Sequence, residues 1–226
     1  MIPKERFMMM MGVSKSVHDA IIGQEIPLAM KAKRGMGIQE LMDGLQRICT
    51  CAKITALDFS DVHIGDQGAH VLVEILPDCP ALARLDLSGN GIGEAGTGSL
   101  AAVLSGCKAL AHLNLYDNDI SDEGVGRLAA VMRQCESLAH LDLRLNMLQA
   151  EGVRWLAAVL GQCKSLVSLQ VYGNYIGAEG ARSLVSLLGQ CTSLRYLDLR
   201  CNVLNSNDRA TITELARQYP HIQVRV

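Results

Sequence analysis

The stretch Leu82-Ala-Arg-Leu85-Asp-Leu87-Ser-Gly-Asn90-Gly-Ile92 decides how the rest of the chain is read. Its leucines alternate around single polar residues, the pattern of a strand with one buried face. An asparagine follows where that strand ends. The same frame returns 28 residues later as Leu110, Leu113, Leu115, Asn118 and Ile120. It returns again at Leu138, Leu141, Leu143, Asn146 and Leu148, then at Leu166, Leu169, Val171, Asn174 and Ile176. A fifth copy is Leu194, Leu197, Leu199, Asn202 and Leu204. Upstream, Ile54, Leu57, Phe59 and Ile64 keep the register, with Val62 in place of the asparagine.

Between these strands the spacing changes to that of a helix. Val125, Leu128, Ala129 and Met132 fall at i, i+3, i+4 and i+7, one apolar stripe. Acidic residues stand where such helices begin: Glu94, Asp122, Glu123, Glu151 and Glu179. They suit the positive end of a helix dipole. One strand and one helix per unit cannot bury their leucines alone, but stacked units share a continuous core.

This frame resembles the leucine-rich repeat family. At 28 residues per unit it is similar to the ribonuclease-inhibitor-like subtype, also found in NOD-like receptor sensor regions and the Ran GTPase-activating protein. The resemblance implies an α/β solenoid, a curved horseshoe segment with parallel strands on its concave face and helices on its convex face. Spacing gives the same curvature, since strands stack ~4.8 Å apart and helices ~10 Å. The expected organisation is an N-terminal segment and helical cap over 1–53, six repeats over 54–205, and a capping helix and strand over 206–226.

Two repeated columns read as structural. The asparagine amides can satisfy backbone groups that no ladder reaches. Gly68, Gly96, Gly124, Gly152 and Gly180 mark close packing or a tight turn. The cysteines follow the same logic. Cys51, Cys79, Cys107, Cys135, Cys163 and Cys191 also recur every 28 residues, with Cys49 and Cys201 outside the series. A strict period means one slot reused, here a small buried side chain, rather than a disulfide framework. Free thiols in this number fit a reducing compartment and hence the cytoplasm.

Composition removes several functions. With 21 basic and 23 acidic residues the chain lacks the excess charge of a nucleic-acid binder. At 4% aromatics it lacks rings on which to stack bases. No run of 18 apolar residues is present to span a membrane as a helix. The sequence contains no P-loop, no G-x-S-x-G and no C-x-x-C. No catalytic residue, cofactor or metal is therefore expected.

What varies along the repeat carries the function. The slot before the central leucine holds Ala56, Arg84, His112, His140, Ser168 and Tyr196. The slot inside L-x-L holds Asp58, Asp86, Asn114, Asp142, Gln170 and Asp198, expected as a solvated polar face. The next slot holds Ser60, Ser88, Tyr116, Arg144, Tyr172 and Arg200. Tyrosine and arginine are the residues enriched at binding hot spots. Tyr116, Arg144, Tyr172, Tyr196 and Arg200 therefore define the expected partner surface, with His112, His140 and Asp142 beside it. Trp155 takes a helix slot that holds Ser99, Arg127 and Ser183 elsewhere, so a weaker contact is expected on the convex side.

The reading is a non-catalytic protein–protein scaffold, monomeric or part of a larger complex, with a protein partner on its concave face. Regulation of a small GTPase and a sensor or structural segment of a larger assembly are the alternatives the resemblance implies. At the ends, Ile38, Leu41, Leu45 and Ile48 have the spacing of a covering helix. The basic cluster Lys31-Ala-Lys33-Arg34 reads as a solvated loop, with nuclear import as its alternative. Ser206 or Asn207 is expected to cap a last helix bearing Ile212, Leu215, Ala216 and Tyr219, stopped by Pro220. His221 to Val226 then reads as a closing strand, so the C-terminus is expected to be complete.

Overall fold

The computed structural model describes residues 27–31 and 53–226. The strands are β1 (Pro27–Lys31), β2 (Lys53–Asp58), β3 (Arg84–Asp86), β4 (His112–Asn114), β5 (His140–Asp142), β6 (Ser168–Gln170), β7 (Tyr196–Asp198) and β8 (Gln223–Arg225). The helices are α1 (Gly65–Ile75), α2 (Glu94–Leu104), α3 (Asp122–Met132), α4 (Ala150–Leu160), α5 (Gly177–Ser186) and α6 (Ser206–Ala216). The strands form one parallel sheet in chain order. Leu57, Leu85, Leu113, Leu141, Leu169 and Leu197 stand opposite one another from β2 to β7. These strand leucines are at most 2% exposed and face the apolar stripes of the helices. Hydrophobic burial along the stack is the main stabilising term.

Buried asparagines link successive repeats. The Asn146 amide nitrogen donates to the carbonyls of Leu115, Leu143 and Arg144 at 2.9, 3.2 and 3.1 Å. Its oxygen accepts the Ile120 N–H at 3.0 Å. Asn90, Asn118, Asn174 and Asn202 each reach the preceding repeat in the same way. At the exits of β2 to β6 a backbone carbonyl is thus satisfied by the asparagine of the next repeat.

The glycine column resolves to close packing. A Cβ on Gly152 would lie 3.0 Å from the Cα of Asp122, and one on Gly180 would lie 2.9 Å from the Cα of Ala150. Neighbouring helices approach there backbone to backbone. The acidic helix starts do more than complement a dipole. Asp66 Oδ1 accepts the N–H groups of Gly93 and Gly96 at 2.7 and 2.8 Å, and Asp122 Oδ1 accepts Gln149 N–H at 2.7 Å. Each carboxylate therefore caps the helix of the following repeat.

Cys79, Cys107 and Cys191 are buried, while Cys135 and Cys163 are half-buried. The Sγ atoms of Cys107 and Cys135 sit 3.6 Å from the carbonyls of Val103 and Val131, one helical turn back. Burial pushes these thiols up, the Cys163 thiol to about 11, so they stay protonated at neutral pH.

The ends differ from expectation in two places. β1 occupies part of the segment read as a loop, pairing in parallel with β2 and including Lys31. Its five residues, Pro-Leu-Ala-Met-Lys, include no β-branched or aromatic side chain to mark a strand. The expected covering helix over Ile38–Ile48, with Cys49 and Cys51, lies outside the described residues. At the other end Asn205 caps α6, one residue before the expected position. Its side chain accepts Asp208 N–H at 2.9 Å while the Asp208 carboxylate accepts the Asn205 N–H at 3.2 Å. This reciprocal pair satisfies two orphan donors, which a lone Ser206 could not do.

Candidate functional site

The outward slots of the strands form the floor of the concave face, and the register sets its order. His112 and His140 are directly opposed on β4 and β5. Their rings stack 4.3 Å apart, 6° from parallel. Parallel stacking places the ring nitrogens side by side rather than converging on one point, a poor geometry for joint metal ligation. Among the described residues no group of three metal-ligating side chains forms. Burial, then His140, then Arg84 pulls the His112 imidazole below its ordinary value.

Further along the sheet tyrosines and arginines form pairs. The Arg144 guanidinium lies 5.0 Å from the Tyr116 ring centre, and Arg200 lies 5.5 Å from that of Tyr172. Arg225 lies 5.7 Å from that of Tyr196. Each pair spans adjacent strands, so the arginine plane and the aromatic face are held together. Arg225 was not singled out from the sequence. It occupies the outward position of β8, whose Ile222-x-Val224 frame lacks the leucines that mark the other strands.

The column inside L-x-L departs from a solvated face at two of its positions. Asp142 and Asp198 are only 9% and 1% exposed. Asp142 accepts Arg144 N–H at 3.0 Å and also binds its guanidinium at 2.6 to 2.9 Å. Asp198 does the same for Arg200 and accepts the Tyr196 hydroxyl at 3.1 Å. Burial would raise the Asp198 carboxyl, but the Arg200 and Tyr196 bonds outweigh it and hold it below the usual range. Asp86 and Asn114 accept the N–H two residues on in the same manner. This is the Asx turn by which a short side chain ends a strand. Asp142, expected at the contact surface, instead positions Arg144.

A second surface went unseen in the sequence. Leu145, Met147, Tyr175 and Val203 line the rim where the chain leaves the strands, and they are 37%, 43%, 63% and 70% exposed. Two slots there take left-handed backbone. The first holds Asp61, Gly89, Asp117, Leu145, Gly173 and Cys201, and the second includes His63, Gly91 and Val203. Leu145 at φ 50° and Val203 at φ 58° are costly where other repeats use glycine. An apolar, strained and exposed residue is not explained by core packing. The signal was present in the slot after the asparagine, which runs Gly91, Asp119, Met147, Tyr175 and Val203.

On the convex side Trp155 is 38% exposed. Its ring covers Gly126, where any side chain would collide with it. It borders an open groove of about 570 Å³ with Ala129, Ala130, Ala158 and Val159, beside the Arg127–Glu94 ion pair. Trp155 thus fills a helix–helix groove as well as facing outward.

A family model described as Leucine Rich repeat matches residues 50–73, 79–101, 105–129, 162–185 and 190–209, about half of the chain. The intervening unit, with β5 and α4, continues the same sheet and helix layer. The comparison with curated proteins finds no match. Among solved structures, the chain is similar to Leiomodin-1 Actin-Binding Site 2. The identity is 17% over 65% of this chain and 86% of that one, with a TM-score of 0.55. That likeness is one of fold.

Proposed function

The chain belongs to the leucine-rich repeat family, and from that premise we propose a non-catalytic scaffold that grips a protein partner with its concave face. The contact is centred on Tyr116, Arg144, Tyr172, Tyr196 and Arg200 and extends over the rim residues Leu145, Met147, Tyr175 and Val203. The observation that carries this reading is the set of three arginine–tyrosine pairs, each held across neighbouring strands. Asp142 and Asp198 lock two of those arginines from below. Side chains held in place before binding lose little entropy on contact, so more of their interaction energy appears as affinity. Aromatic and guanidinium groups beside an exposed apolar strip have the composition of a hot-spot cluster.

The 28-residue spacing supports the ribonuclease-inhibitor-like subtype, and the free thiols support the cytoplasm as the site of action. The test is a paired capture from native lysate with wild type and a Tyr116/Tyr172/Tyr196→Ala variant of equal thermal midpoint. A partner retained by wild type alone is the expected result. A partner held equally by both moves the interface to the convex helices and Trp155.

A further inference from the structure

The half of the concave face built by β3 to β5 differs chemically from the tyrosine–arginine half. An open depression of about 410 Å³ lies over it. Along its floor Arg84, His112 and His140 stand in one row, each opposite the next in the sheet register. Neighbours in that row are about one strand spacing apart, ~4.8 Å. Among the described residues, none of these three side chains has a hydrogen-bond partner.

The acceptors beside them are engaged. Asp86 Oδ1 takes Ser88 N–H and hydroxyl at 3.0 and 2.6 Å, and its Oδ2 takes the Asn114 amide at 2.9 Å. The Asp142 carboxylate is committed to Arg144. Arg84 and the two imidazoles thus leave unused donor capacity arranged in a line.

We propose that the Arg84–His112–His140 row receives an acidic segment of the protein partner, with affinity that rises as the imidazoles take up protons. This inference rests on the concave-face reading above and names the partner's chemistry there. Carboxylates of the partner complete the guanidinium and imidazolium donors. In the free protein Asp58, Arg84, Asp86 and Asp142 line the same depression as the stacked rings, with Asp142 paired to Arg144. At His112, burial, then His140, then Arg84 opposes protonation. A bound carboxylate reverses that balance, so binding and proton uptake are coupled. A nucleic-acid backbone is the poorer fit. A phosphate backbone is held by many cations in succession, whereas this row is three side chains long, bounded by Ala56 and Ser168.

The test uses the full chain and a fluorescein-labelled oligo-glutamate peptide, with oligo-lysine, a glycine–serine peptide and a single-stranded oligonucleotide as comparators. Anisotropy is read at about pH 6 and about pH 8. Glutamate binding is expected to tighten at least about fivefold at the lower pH, with the imidazole titrations of wild type moving upward on binding. H112Q/H140Q is expected to abolish the pH dependence and R84Q to weaken binding at both pH values. No glutamate binding at either pH overturns the inference, and so does binding that all three substitutions leave unchanged. Tighter binding of the oligonucleotide also overturns it. If the tyrosine triple variant loses its partner while the glutamate peptide never binds, only this inference fails and the concave-face reading stands.

Discussion

The asparagine ladder and the concave floor are built by the same repeats yet obey opposite rules. In the ladder one residue type recurs at every turn from Asn90 to Asn202, buried and bonded identically. On the floor the slot before the central leucine varies: Arg84, His112, His140, Ser168 and Tyr196 share one geometric position. A slot kept constant answers a need of the stack, because every repeat leaves the same backbone groups unsatisfied. A slot left free to vary answers a need outside the stack. Periodicity thus separates what folds the chain from what the proposed partner surface presents.

That contrast predicts a ranking of effects. Leu141→Ala, at a position with no exposure, should cost about 4 kcal/mol in urea unfolding, through lost burial and a residual cavity. Asn146→Ala strands the Ile120 N–H and three carbonyls, and should cost about 3 kcal/mol. A cost under about 0.5 kcal/mol would dissolve the distinction drawn here. Gly152→Ala forces α3 and α4 apart and should lower stability by about 2 kcal/mol.

Val203→Gly should move the other way. It relieves a β-branched residue at φ 58° and should raise stability by up to about 1 kcal/mol, while weakening partner capture. A gain in both stability and capture would remove the rim from the interface. Tyr172→Ala should change the unfolding midpoint least, within about 0.5 kcal/mol, and cost mainly partner affinity.

The same contrast has a pH signature. The folded His112 imidazole lies below its ordinary value, so the unfolded chain binds more protons there. Its stabilising contribution is present above the unfolded imidazole range and is lost as pH falls through that range. H112Q should flatten this part of the stability–pH curve, read from thermal midpoints between about pH 5 and about pH 8. Asp198 behaves likewise at more acid pH, since its folded carboxyl is held down. Its contribution is lost only as pH falls through the carboxylate range.

Much of this was legible in the residues. Alternating leucines, helical stripes and a fixed period fix the solenoid, because burial requires apolar faces of defined spacing. The same alternation placed Tyr116, Tyr172 and Tyr196 outward. It misled at Asp142 and Asp198, where direction along the strand does not reveal that a short carboxylate folds back onto the N–H two residues on. It was silent on Leu145 and Val203, since left-handed backbone at a non-glycine residue follows from loop geometry rather than hydropathy.

By itself the sequence determined the fold, the layer order and the faces, because these depend on local periodicity summed over many repeats. Only the tertiary structure decided which side chains meet. The stacking of His112 on His140, the seating of Arg144, Arg200 and Arg225 over tyrosines, and the strained rim all arise between residues about one repeat apart. Their contact depends on register, twist and turn conformation, which hydrophobic burial sets without regard to what the outward side chains are.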